Sequence, residues 1–140
     1  MQMLLKRMKK EEKGFTLIEL LAVIVILAVI AIIAIPLIGN IIDNSKTKSD
    51  LATARQIYDA ARIYATDVNN GTMTDPITLK VLQTNKYLDT GITLPSTKKA
   101  LDPDNTILTP TATDDTFLVI KDTSGTVVTK KYTKAEVMSQ

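Results

Sequence analysis

Lys13-Gly14-Phe15-Thr16-Leu17-Ile18-Glu19-Leu20-Leu21 decides how this chain is read, because it joins a basic leader to a long apolar run that holds one acidic residue. Upstream, Lys6, Arg7, Lys9, Lys10 and Lys13 stand against Glu11 and Glu12, about +3 in side-chain charge over the first fourteen residues. A segment so charged stays on the cytoplasmic side of a membrane. Downstream, no residue from Leu20 to Ile42 is ionisable. As a helix, that stretch would be about 35 Å long, enough to cross a bilayer core.

The order of parts differs from that of an ordinary secretory signal, in which a short apolar core is followed by a small-residue cut site on the far side. Here the run is too long, no Ala-x-Ala pattern ends it, and the small residue Gly14 precedes it on the cytoplasmic flank. Cleavage between Gly14 and Phe15 would leave the anchor on the mature chain.

Residues 13–21 resemble the class III signal of type IV pilins and pseudopilins. The resemblance covers the first third of the chain. It implies a prepilin peptidase that cuts after Gly14 and methylates the new amino group of Phe15. It also implies a homo-oligomeric helical filament, with pilus assembly machinery and minor pilins as further partners. The subunit would be a single-pass membrane protein before assembly and part of an extracellular filament afterwards. Glu19 matches the acidic residue that the family places five positions into the mature chain.

Glu19 also has a physical reading of its own. An ionised side chain at the centre of a spanning helix costs about 2.5 to 3.5 kcal/mol on insertion scales, and less near an interface, so it usually has a partner. The Phe15 ammonium of a neighbouring subunit would fit and would set the axial stagger; snorkelling into headgroups is the plainer alternative. Pro36 and Gly39 interrupt the run late. Proline removes a backbone donor and clashes with the carbonyl four residues back, so a kink or melted turn is expected there. The family resemblance would have Pro36 let this segment unwind during filament packing, although proline is also tolerated in membrane helices without special purpose.

Beyond the anchor, Leu51, Ala54, Tyr58, Ala61, Ala65 and Val68 recur at spacings of three and four, with charged residues between them. This is an amphipathic helix. One continuous helix is expected from Phe15 to near Asn69-Asn70-Gly71, roughly 80 Å long. Asp75-Pro76 reads as an N-cap and first-turn proline for a short helix carrying Leu79, Val81 and Leu82. Tyr87 and Leu88 then turn the chain back; the arrangement is similar to pseudopilins, with Lys86 where the family has glycine. From Thr90 to Asp115 a connecting loop is expected, with one brief strand at Thr106 to Thr109. Phe117 to Ile120 and Thr126 to Thr129 read as a hairpin. The fold class is therefore α+β: a long N-terminal helix packed on a small antiparallel sheet, like a lollipop on its stick. The divisions are a leader at 1–14, an apolar helix at 15–42, its amphipathic half at 43–70, and a globular head at 71–140.

Composition narrows function. The chain has 140 residues and neither cysteine nor histidine. That removes His-dependent triads, thiolate nucleophiles and ordinary zinc sites, so a non-enzymatic role is expected. It also removes disulfides; many pilins from outer-membrane bacteria have one, and the departure favours a Gram-positive source or a pseudopilin-like head. Asp102, Asp104, Asn105, Asp114 and Asp115 could offer oxygen ligands to calcium, which major pseudopilins bind in a comparable loop, but Asp-Pro-Asp-Asn is also ordinary turn chemistry. No other cofactor is expected. After loss of the leader, twelve Lys and Arg face thirteen Asp and Glu, about −1. Lys98-Lys99 and Lys130-Lys131 with Tyr132 and Lys134 could touch DNA, as competence filaments do, or could simply be solvated and protect an edge strand.

The reading that follows is a type IV pilus subunit, favoured over a competence or type II secretion pseudopilin because the head is larger than competence subunits usually carry. The other class is a binding module held by an uncleaved anchor.

Overall fold

The computed structural model describes residues 14–123 and 130–139. The chain divides into two compact units, one ending at Ile42 and one beginning at Asp43. Helix α1, Leu17–Val68, contributes to both.

In the first unit, helix α1 is long and apolar enough to cross a membrane. Its large apolar side chains from Leu17 to Ile42 are exposed within the subunit. The helix continues unbroken through Pro36 and Gly39, so the expected melted turn is not present in this structure. Proline forfeits one hydrogen bond, and the bonded turns on either side hold the rod together.

The second unit is built on the other half of helix α1. Its buried stripe comprises Asp50, Thr53, Ala54, Ile57, Ala60, Ala61 and Ala65. The sequence periodicity found Ala54, Ala61 and Ala65; Leu51 and Tyr58 lie at the margin of the core, and Val68 is exposed. The helix stops as composition predicts. Asn70 and Gly71 take left-handed φ values of 50° and 81°, and the Gly71 amide donates back to the Ala65 carbonyl at 2.9 Å. Glycine is the residue that adopts this geometry without steric cost.

Strand β1, Ile77–Thr78, leads directly into helix α2, Leu79–Thr84. The Asp75-Pro76 cap is therefore corrected: the N-cap is Thr78, whose hydroxyl accepts from the Val81 amide. β-branched Ile77 and Thr78 are drawn into extended pairing with Leu108 and Ile107, which delays the helix. After α2, Lys86 occupies the left-handed region at φ 62° and the Tyr87 amide closes onto the Leu82 carbonyl. The turn forms with lysine in this conformation, against a steric preference of roughly 1 kcal/mol.

The segment read as plain loop contains a two-stranded ribbon of β2, Thr93–Leu94, and β3, Lys99–Ala100. The main sheet is antiparallel, in the order β1, β4, β5, β6, with β4 at Ile107–Leu108, β5 at Leu118–Ile120 and β6 at Lys130–Tyr132. The expected second hairpin arm, Thr126 to Thr129, lies outside the described residues. The strand paired with β5 uses Lys130, Lys131 and Tyr132. Helix α3, Lys134–Met138, was not foreseen, although Thr133 and Glu136 form a complete capping box at its start. Phe117, Leu79, Leu82, Leu94, Leu108, Leu118 and Ile120 fill the core against Ile57 and the alanines of α1. The Tyr58 and Phe117 rings meet at 5.9 Å.

Polar ties hold the head together, one buried at Asp50 and one at the surface through Arg55. Asp50, fully buried, accepts the Ser96 amide at 2.9 Å through Oδ1, while Lys130 Nζ stands 3.5 Å from its Oδ2. Among the described residues Oδ2 makes no hydrogen bond, so Lys130 balances it by charge. Arg55 Nη2 donates to the carbonyls of Glu136 and Ser139 and so holds helix α3. Together the ties join helix, ribbon turn and last strand without a disulfide.

Lys130→Met removes the cation from a buried carboxylate and is expected to cost about 2 to 3 kcal/mol, below the full cost of an enclosed pair because Lys130 is partly exposed. Urea unfolding of the full chain in detergent, read as a lower midpoint at constant slope, measures this. Burial, then the charges of Asp50 and Glu136, push the Tyr132 phenol up to about 12. The folded state thus keeps the proton more tightly than the unfolded state. Its contribution is complete below the ordinary tyrosine range near 10 and lost as pH rises through about 12. Tyr132→Phe should flatten this alkaline arm of the unfolding midpoint.

Candidate processing and assembly site

Gly14 and Phe15 precede helix α1 in irregular backbone, and Phe15 is 78% exposed. A Cβ placed on Gly14 would meet nothing within 4 Å, and its φ is not left-handed. Among the described residues, neither packing nor conformation demands glycine at this position. Gly39 is equally unconstrained.

Thr16 is the residue that sequence reading missed. Its amide donates to Glu19 Oε2 at 2.8 Å and its hydroxyl to the same oxygen at 3.0 Å. The Glu19 amide returns a bond of 3.3 Å to Thr16 Oγ1. This is a reciprocal capping box, satisfying two amides that the start of a helix would otherwise leave free. The sequence signal was present as Thr16-x-x-Glu19 before an apolar run. Reading Glu19 as a membrane carboxylate and an assembly contact leaves its capping role unseen.

Residues 9–35 match the family described as the prokaryotic N-terminal methylation motif. The segment is a type IV pilin-like class III signal. The matched span begins in the basic leader and ends one residue before Pro36, so it contains Gly14, Phe15, Thr16 and Glu19. No curated protein and no solved structure matches the chain. The class III signal brings prepilin peptidase processing and a pilus assembly context, and with the apolar helix it fits membrane anchoring.

The remaining candidates lie in the head, apart from that signal. Asp102 Oδ1 accepts the amides of Asp104 and Asn105 at 3.0 and 3.1 Å, and Oδ2 accepts the Asn105 side-chain amide at 2.8 Å. These bonds hold its carboxyl below the ordinary range. Asp104 pairs with Lys80 at 2.9 Å, Asp114 takes the Thr116 amide at 3.0 Å, and Asp115 pairs with Lys131 at 3.3 Å. Among the described residues, no group of three or more acidic, histidine or cysteine side chains converges in a way that could hold a metal. Three of the lysines considered for DNA also face acids: Lys99 stands 4.0 Å from Asp122, Lys130 pairs with Asp50 and Lys131 with Asp115.

Asp102 has a lowered folded value, so its contribution to stability is complete above the ordinary carboxylate range and is lost as pH falls through the lowered one. Asp102→Ala should therefore reduce the unfolding midpoint at neutral pH and leave it nearly unchanged in strong acid. Calcium or chelator should move neither protein; a midpoint raised by calcium in the parent and not in the variant would reveal an ion site at this turn.

Proposed function

We propose that the chain is the structural subunit of a type IV pilus filament, cut between Gly14 and Phe15, methylated on the Phe15 amine and polymerised through helix α1. The observation that carries this reading is the methylation motif placed on an exposed helix start. Its glycine answers to no contact among the described residues, as expected where a second protein reads the residue. The large apolar side chains from Leu17 to Ile42 are exposed among the described residues and suit first a bilayer and then a bundle of like helices. The compact head supplies the filament surface, and its role is mechanical.

The test is the N-terminal residue and mass of protein sheared from cells that express their own prepilin peptidase. Phe15 with one added methyl group, in fibres, is the expected result. Processed chain confined to membranes would point to a short pseudopilus, and an intact Met1 to an anchored binding module. Gly14→Val, which meets no steric obstacle in the fold, should accumulate as full-length precursor.

A further inference from the structure

Glu19 is occupied before any second subunit arrives. Its Oε2 takes two bonds from Thr16, while Oε1 accepts none among the described residues. We infer that Thr16 is the positioning residue for Glu19, holding the carboxylate at the helix start so that one oxygen is tied within the subunit and the other is left to a neighbouring copy. The inference rests on the filament reading above and assigns the orientation of its charged contact to a side chain outside that contact.

The chemistry favours this division of labour. A carboxylate on an isolated membrane helix lowers its cost by snorkelling toward headgroups, which draws it away from a helix-to-helix contact. Two donors from Thr16 compensate the same charge locally and remove side-chain freedom that assembly would otherwise have to freeze. Cleavage after Gly14 does not dismantle the arrangement, because the donors are Thr16's own amide and hydroxyl. The new amine forms on Phe15, one residue away, and belongs to the same exposed end.

Thr16→Val keeps the shape and charge of the segment and removes the hydroxyl; Thr16→Ser keeps the hydroxyl. Full-length proteins are expressed in the strain with its own peptidase, and three quantities are followed: membrane insertion, cleavage after Gly14, and protein in sheared fibres. Thr16→Val should insert and be cut like the parent, yet yield about fivefold fewer fibres, the ratio equivalent to a lost cap of about 1 kcal/mol. Thr16→Ser should restore the parental yield. Parental fibre yield from Thr16→Val, or failure of Thr16→Ser to restore it, overturns the inference. A parent chain that is never cut after Gly14 overturns the filament reading itself, a failure that the cleavage measurement separates from the first.

Discussion

Ala54, Ala60, Ala61 and Ala65 place almost no side chain between the backbone of helix α1 and the core of the head, and all four are buried. The rest of the head depends on the close approach they allow. Larger residues, namely Phe117, Leu118, Ile120 and Leu108, fill the space from the other side, so small faces large across one contact. Strands of two or three residues have little ladder of their own to hold them. They persist because helix α1 gives them a common wall, and because Asp50 and Arg55 bind the ribbon turn, β6 and α3 to it. In a chain without cysteine, these polar ties do the cross-linking.

Much of this was legible in the sequence, for reasons that differ by element. Helix α1 was legible because its apolar run and three-four periodicity extend over many turns, and its end because Asn69-Asn70-Gly71 is stop chemistry. β4 and β5 were found from short runs of Ile, Leu, Phe and Val. The β2 and β3 ribbon was hidden because Thr93-Leu94 and Lys99-Ala100 carry no strand pattern, and only pairing across the intervening turn makes them strands. The start of α2 was misplaced by two local signals in competition: Asp75-Pro76 is good cap chemistry, but the sheet claims Ile77 and Thr78 first. Helix α3 could have been found, since Thr133-Lys134-Ala135-Glu136 repeats the same box as Thr16 to Glu19.

At the candidate processing site the residue types were legible and their geometry was not. Gly14, Phe15 and Glu19 stand out by order and charge alone. That Glu19 bonds Thr16 depends on the helix starting at Leu17, a boundary no periodicity could fix. The acidic residues of the loop illustrate the opposite case. Asp102, Asp104, Asn105, Asp114 and Asp115 are close in sequence, but each is assigned by the fold to a turn or a lysine. Chain proximity counted donors; only the fold shows where their lone pairs point.

The tie between Arg55 and Ser139 joins residues 84 positions apart, and the sheet is completed only when β6 pairs with β5. Helix α1 is therefore translated long before the strands that cover Ile57 and its alanine stripe exist. Contacts of such long range are slow to form, because the loop-closure entropy is paid before they reward it. In that interval the second half of the helix displays an uncovered apolar surface, and the time taken to complete the sheet, more than the final stability of the head, decides how long it stays vulnerable to aggregation.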